Sequence, residues 1–224
     1  MDAFIFARGG SKGIKNKNLV PFGNSTLLGH TIDTLLDSCQ FSDIYVSSDS
    51  DDILLNAKAH SALTIKRPSY LASDSSNELD AWRHALSFLD YPITKPFFIA
   101  PVTSPLRRAH DICTAIKLWD SVNYDVMMSY KPSDRNPYLN MVSQNRSGHY
   151  RPLDFIKPIH RRQDAPSFYD VLTYLYITTF EFLHTNQSLV SSRVQWFNVN
   201  PQYSIDIDTP FDLILARLLY DHER

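Results

Sequence analysis

Ala3-Phe4-Ile5-Phe6-Ala7, followed at once by Arg8-Gly9-Gly10-Ser11-Lys12-Gly13, is the stretch on which the fold turns. A short, unbroken apolar run has the composition of a parallel strand buried on both faces. The segment after it is loop chemistry. Small residues let backbone N–H groups approach phosphate oxygens, and Arg8 and Lys12 add the charge that a triphosphate needs. Lys15, Lys17 and Asn18 extend the polar stretch, so four cations stand between positions 8 and 17. A mere tight turn with solvated cations is the other reading of this spacing; the density of charge directly after the strand favours an anion site. The loop is not a Walker A motif, because Lys12 is followed by Gly13, and it does not match the dinucleotide fingerprint.

Working outward, the chain alternates. Leu27, Leu28, Ile32, Leu35 and Leu36 give helical spacing over 26–39, and Ile44-Tyr45-Val46 reads as a strand ending at Ser47-Ser48-Asp49. A helix over 52–60, a strand at 63–65, a helix over 79–89 and a strand at 97–100 follow, the last stopping at Pro101. A helix over 109–122 and a strand at 126–130 complete a β-α-β-α-β-α-β-α-β series. That series predicts an α/β fold: an open, mostly parallel sheet flanked by helices, with ligands bound beyond the carboxyl ends of the strands. The segment 131–166 breaks the rhythm, being rich in Pro, Asn, Arg and Asp, and is read as a hairpin-like excursion, a dimer arm or lid. A β-rich run at 171–177, a short helix from Phe180, a strand at 194–199 and a helix over 209–220 close the chain. The last helix has Thr209 as N-cap, Pro210 in its first turn and Asp212 as capping-box acid.

Composition sets the bounds. A chain of 224 residues, 43% hydrophobic and 21% charged, is read as one domain over 1–224. A formal net charge of -2 gives no field that would recruit nucleic acid or an anionic membrane. No apolar run approaches the roughly 20 residues that span a bilayer, and the first apolar run is too short for a signal peptide. Cys39 and Cys113 lack metal-ligand spacing and are expected as small buried side chains in a reducing cytoplasm. The eight His residues show no ligand spacing, and no Ser-His-Asp order points to a covalent nucleophile.

A second chemical feature is Ser204-Ile205-Asp206-Ile207-Asp208-Thr209. In an extended segment Asp206 and Asp208 share one face and Ile205 and Ile207 the other. Two carboxylates on one side suit a hard ion such as Mg²⁺; the competing reading is that Asp208 or Thr209 only caps the next helix. Arg107-Arg108 after Thr103-Ser104-Pro105, and Arg161-Arg162-Gln163-Asp164, are candidate carboxylate partners, since Arg suits that role where geometry matters. Taken alone, each such arginine pair is more often a solvated face or a salt-bridge donor.

Together these segments resemble the N-acylneuraminate (CMP-sialic acid) cytidylyltransferase family. Ala7 to Gly13 with Lys17-Asn18-Leu19 is its N-terminal nucleotide-binding signature. Val46-Ser47-Ser48-Asp49, Arg67-Pro68 with Asp74, Thr103-Ser104-Pro105-Leu106-Arg107, Arg161-Arg162-Gln163-Asp164 and Ile205-Asp206-Ile207-Asp208 follow in family order. The resemblance implies a nucleotide-diphospho-sugar transferase-like core and a homodimer built through the excursion. It implies CTP contacted by Ala7, Arg8, Gly9, Gly10, Ser11, Lys12, Lys17, Asn18, Arg67 and Asp74, and Mg²⁺ on Asp206 and Asp208. Arg8, Lys17, Asp206 and Asp208 would be the catalytic set. An acidic 2-keto-3-deoxy sugar would meet Ser104, Arg107, Arg161, Gln163 and Tyr174. The related octulosonate cytidylyltransferases use an arginine-based first loop instead.

The sugar half departs from that pattern. Pro101-Val102 stands where the family has Gln facing the sugar, and Tyr169-Asp170-Val171-Leu172-Thr173-Tyr174 replaces a stretch with Arg, Asn and Gly. Two other readings follow: a nucleotidyltransferase for another sugar or sugar phosphate, or a nucleotide-sugar-binding homologue without turnover.

Overall fold

The strand expected at the N-terminus lies in the middle of the principal sheet. The computed structural model describes residues 1–153, 159, 161–186, 188–190 and 193–222. Strand β1 (Asp2–Phe6) leads through a small hairpin, β2 (Pro21–Phe22) and β3 (Ser25–Thr26), into α1 (Leu27–Asp37). The expected alternation follows: β4 (Ile44–Ser48), α2 (Asp51–Ala59), β5 (Leu63–Lys66), α3 (Glu78–Phe88), β6 (Pro96–Ile99), α4 (Ala109–Leu118) and β7 (Val126–Pro132). The excursion holds a hairpin of β8 (Val142–Gln144) and β9 (Tyr150–Pro152). The chain then returns through β10 (Tyr169–Thr179), α5 (Phe180–Thr185), β11 (Val194–Asn198) and α6 (Pro210–His222). Part of the expected arm, 154–158 and 160, lies outside the described residues.

The seven-stranded sheet has the order β11-β7-β10-β6-β1-β4-β5. Its pairs are parallel except those of β10, which runs antiparallel to both β6 and β7. Alternation along β1 sends Ala3 and Ile5 into one core and Phe4 into the other. The first core packs α1, α2, α4 and α6 on one face through residues such as Ile32, Ile53, Ile112 and Leu213. The second packs α3 and α5 on the opposite face around Trp82 and Leu183. With both faces covered, the central strands read as continuous apolar runs, and the carboxyl edge of the sheet is left to loops.

Two local expectations are corrected. The helix expected over 109–122 ends at Leu118: Trp119 turns to extended backbone, and the Asp120 carboxylate accepts from Val122 N and Asn123 N, closing a turn. Cys39 is exposed at a helix end with φ 53°, and Cys113 is half-buried, its thiol donating weakly to Ser38 O; neither is a buried core residue. Although no Ser-His-Asp order stands out in the sequence, Ser25 Oγ lies 3.0 Å from His60 Nε2, and His60 Nδ1 lies 2.9 Å from Asp33 Oδ1. That chain ties the β2–β3 hairpin and α1 to the end of α2.

Candidate active site

Beyond Phe6 the chain leaves the sheet and folds back on itself. Gly9 N donates to Asp49 Oδ1 at 2.9 Å, and the buried Asn18 side chain donates to Arg8 O at 2.9 Å, tying the loop to the end of β4 and to its own start. Ala7 is buried, so its side chain adds nothing to the opening. Gly10 stands in open space, where an added Cβ would meet nothing within 4 Å. At Gly13 the reverse holds: a Cβ would come within 2.2 Å of Asp208 O. Only glycine allows the basic loop and the acidic segment to lie this close.

A cleft with three lobes runs along the carboxyl ends of β1 and β6. Ser11, Lys12, Lys17, Asn18, Thr103 and Asp208 line one lobe of about 300 Å³. Arg67, Leu71, Ser73, Ser76 and Glu78 line a second of similar size. Phe6 and Arg8 border both. The third is smaller and deeper, between Glu78, Thr103, Pro101, Thr173 and Tyr176.

The cations of the cleft are paired with carboxylates. Arg8 Nη1 and Lys12 Nζ converge on the two oxygens of Asp74, at 2.8 and 2.7 Å. Hydrogen bonds from Lys12 and then Arg8 hold the Asp74 carboxyl below its ordinary range. Lys17 Nζ donates to Ile207 O at 2.7 Å and lies 3.3 Å from Asp208 Oδ1, while Ile207 N donates to Thr103 O at 2.8 Å. The acidic segment is therefore pinned from both sides, with Ile207 fully buried beneath it. Asp212 accepts from Asp208 N, Thr209 N and Thr209 Oγ1, so the helix cap is made by Thr209 and Asp212. That leaves the Asp206 and Asp208 carboxylates without a capping role. Asp208 opens on the first lobe, and the charge of Asp206 acts on Tyr176 in the third.

Whether these residues fit a divalent ion turns on Asp206. Its Oδ1 is shielded from solvent without a hydrogen-bond partner, an expensive arrangement for a carboxylate unless a cation completes it. Among the described residues no three acidic, His or Cys side chains gather into a closed metal cage. The pair fits a hard ion that draws its other ligands from phosphate oxygens and water.

Arg67 is 6% exposed; its Nη2 donates to Ser47 O at 3.1 Å and its Nε has no partner. Burial pulls its pKa down, against the opposing charges of Asp49 and Glu78.

The residues expected around a sugar separate into two groups, neither of which lines the cleft. Arg107 is buried, with Nε donating to Tyr174 O and Nη2 to Pro101 O, each at 2.7 Å; burial lowers its pKa to about 10. Ser104 Oγ donates to Thr173 O at 3.1 Å. The Tyr174 hydroxyl donates to Asp111 Oδ2 at 2.7 Å and accepts from Arg108 N. These three form a brace between the loop after β6 and β10. Arg161, just before a short 3₁₀ turn of the arm (Arg162–Asp164), and Gln163 within it are exposed, and Arg161 pairs with Asp164 at 2.7 Å. Asp170 is exposed at the base of β10, in register with Lys131, and does not line the cleft. The reason lies in β10: a register shift between Leu172 and Tyr176 breaks its alternation, sending Tyr174 into the first core and bringing Tyr176 to the cleft. Glu78 and Tyr176 line the cleft although the motifs do not point to them, and Thr103 lines it where the motif's Ser104 and Arg107 do not. Only the Asn77 cap before Glu78 leaves a trace in the sequence, as a helix-start signal.

Arg8, Lys12 and Lys17 line one lobe of the cleft together with Asp208, beyond the carboxyl end of β1, a place and a charge that suit a polyphosphate. Residues 3–91 match the model of the cytidylyltransferase family. The chain is 28% identical to the post-translational flagellin modification protein B of Campylobacter coli, over 96% of this chain and 92% of that protein. It is 29% identical to the CMP-N,N'-diacetyllegionaminic acid synthase of Campylobacter jejuni, over 96% and 92%. With the N-acylneuraminate cytidylyltransferase of Streptococcus agalactiae it shares 28% identity over 97% of this chain, but spans only 53% of that longer protein. The resemblance to the N-acylneuraminate cytidylyltransferases thus extends over nearly the whole chain. Among solved structures, CMP:2-keto-3-deoxy-manno-octonic acid synthetase complexed with CTP superposes with TM-score 0.74 at 15% identity, over 100% of this chain and 99% of that one. The 4-diphosphocytidyl-2C-methyl-D-erythritol synthase of Anaerococcus prevotii gives 0.65 at 12% identity, over 98% of both chains. These share the fold.

Proposed function

We infer that this chain is a CTP-dependent nucleotidyltransferase forming a CMP-sugar from CTP and an acidic 2-keto-3-deoxy sugar of the sialic-acid type. The observation that carries the reading is the lobe beyond the end of β1 that Arg8, Lys12 and Lys17 line together with Asp208, with Lys17 pinning the segment that carries Asp206 and Asp208. The anomeric hydroxyl oxygen of the sugar bonds to the α-phosphorus, the bond to the β-phosphate oxygen breaks, and pyrophosphate leaves with its electron pair. The hydroxyl proton passes to solvent or a carboxylate.

Phosphoryl chemistry of this kind needs positioning and charge neutralisation more than covalent help. Arg8 and Lys12 release Asp74 to take up the triphosphate, and Lys17 steadies the departing pyrophosphate while anchoring the acidic segment. Asp206 and Asp208 would hold Mg²⁺, which supplies charge neutralisation at the α-phosphate when bound. In this reading Ser104, Arg107 and Tyr174 position the inner lobe rather than touch the sugar. The sugar carboxylate is met by Arg161 and Gln163 of the arm, brought to the cleft in a homodimer. Exposed Leu139, Met141, Val142, Tyr150 and Tyr169 on and beside the arm supply the apolar surface for that contact. Among the described residues no helix is long and apolar enough to cross a membrane, in keeping with water-soluble substrates.

The test is pyrophosphate release from CTP and Mg²⁺ across a panel of 2-keto-3-deoxy sugar acids, including N-acetylneuraminate and N,N'-diacetyllegionaminate. Release with one of them supports the reaction class and gives the sugar. Silence across the panel with CTP bound sinks the reading in favour of another acceptor or a binding protein.

A further inference from the structure

Of the Arg107-Arg108 pair, Arg107 is taken up by the brace between the loop after β6 and β10, whereas the reaction just described gives the Arg108 side chain no role. Arg108 stands directly before α4 on extended backbone. Its guanidinium forks onto Asp111 one turn on, with Nε 3.1 Å from Oδ2 and Nη2 2.7 Å from Oδ1. A solvated ion pair three residues apart on a helix contributes little. This one differs, because the Asp111 side chain is only 9% exposed and its carboxylate also accepts from the Tyr174 hydroxyl at 2.7 Å. A planar fork on a fixed carboxylate leaves the guanidinium little freedom to turn.

That guanidinium lies over the ring of Tyr203, with Cζ 3.9 Å from the ring centroid. Tyr203 ends a 3₁₀ turn, Pro201–Tyr203, that closes on itself: Tyr203 N donates to Asn200 O, and Ser204 N and Oγ both donate to Pro201 O. Asp206 follows a few residues on. Downstream, the acidic segment is gripped at Ile207, whose N–H donates to Thr103 O and whose carbonyl accepts from Lys17 Nζ. Upstream, it is gripped at Tyr203, which packs against the first core and under Arg108. The Asp206 carboxylate, with its shielded and unpartnered Oδ1, is carried between these two anchors.

We propose that Arg108 is a positioning residue for the divalent ion: forked onto Asp111 and stacked on Tyr203, it fixes the upstream end of the acidic segment and so holds the Asp206 carboxylate in place beside Asp208. The proposal rests on the metal reading above. Groups behind a metal's ligands set the direction of those ligands, and their loss weakens metal binding while the ligands themselves remain. Lysine cannot replace Arg108 here, since an ammonium keeps the charge but makes neither the fork nor the flat stack. The chain Tyr174, Asp111, Arg108, Tyr203 also ties the acidic segment to β10, the strand that brings Tyr176 to the cleft. One arginine thus links the metal pair to the inner lobe.

The experiment is calorimetric binding of CTP to the full chain, once with Mg²⁺ and once with EDTA, for the wild type, Arg108→Lys, Tyr203→Leu and Tyr203→Phe, with thermal unfolding to establish that each variant is folded. Mg²⁺ should strengthen CTP binding by the wild type. Arg108→Lys and Tyr203→Leu should bind CTP in EDTA as the wild type does, and should lose roughly 10-fold of the gain that Mg²⁺ brings. Tyr203→Phe keeps the ring and should keep the gain. Leu183→Ala, which opens a cavity in the second core on the opposite face of the sheet, lowers stability without touching the brace and should also keep it. An undiminished gain in Arg108→Lys or Tyr203→Leu overturns the proposal while leaving the metal reading standing. So does equal weakening with and without Mg²⁺, or a comparable loss of the gain in Tyr203→Phe or Leu183→Ala. A wild type whose CTP affinity is indifferent to Mg²⁺ overturns the metal reading and this proposal with it, and one that binds no CTP overturns the CTP reading as well.

Discussion

At the scale of single residues, the cleft has two sensitive points. Gly13 passes so near Asp208 O that a methyl group would have to displace backbone on one side or the other. Gly13→Ala should therefore separate the basic loop from the acidic segment and lower turnover by roughly 10²-fold, as small misplacements of reacting groups do. Steady-state rates of pyrophosphate release check this, and near-wild-type turnover would show that the approach is dispensable. Asp206 is the other sensitive point, with an oxygen shielded and unpartnered. Asp206→Asn removes the charge but keeps the shape, so activity should fall by roughly 10²-fold or more while the thermal midpoint stays or rises, because an uncompensated charge has been taken out of the apo protein. A variant that turns over normally would end the metal assignment. Neither point can be found from residue type alone. Gly10 and Gly13 look alike in the sequence, yet one faces open space and the other a backbone oxygen.

At the scale of elements, the bulged strand β10 and the loop after β6 act as one unit through Asp111, Arg108, Arg107 and Tyr174. Burial raises the Asp111 carboxyl, but hydrogen bonds from Arg108 and Tyr174, with the Arg108 charge, outweigh it and hold the group below its ordinary value. A carboxyl depressed on folding contributes stability above its unfolded pKa of about 4, and loses it as pH falls through the folded value. Asp111→Asn should cost about 2 kcal/mol near neutral pH, the worth of hydrogen bonds to a charged group, and should flatten the loss of stability below about pH 4. Urea unfolding of both proteins across that range reads both effects; a neutral substitution would show that the brace is idle. The cap of α6 is the second element-scale device. Asp212 gathers three hydrogen bonds from Asp208 and Thr209, and its carboxyl is held low chiefly by the Thr209 bonds. Asp212→Ala should cost about 1 kcal/mol in thermal or urea unfolding. Because Asp208 N is one of the donors, affinity for CTP with Mg²⁺ should fall as well; unchanged binding would separate the cap from the site. The capping box was legible, since Thr209-Pro210-Phe211-Asp212 is local chemistry. The bulge was not, because a register shift depends on the partner strand.

At the scale of the whole molecule, one cleft spans segments from positions 6 to 208, and the arm that carries Arg161 and Gln163 stands apart from it. The proposed homodimer predicts two chains per particle in light scattering, and Val142→Lys with Tyr150→Lys on the arm hairpin should shift the protein toward monomer and depress turnover together. A monomeric wild type with full activity would remove the arm from the reaction. The sequence by itself determined the alternation of elements, the mostly parallel sheet, the basic loop after β1 and the acidic pair before α6. Those follow from short-range periodicity and from motifs whose residues are neighbours in the chain. Only the tertiary structure decided that Arg107, Ser104 and Tyr174 brace backbone, that Tyr176 rather than Tyr174 meets the cleft, and that Glu78 lines it beside Arg67. The physical reason is that a side chain's partner is fixed by strand register and by packing across long separations in sequence, and a local pattern records neither.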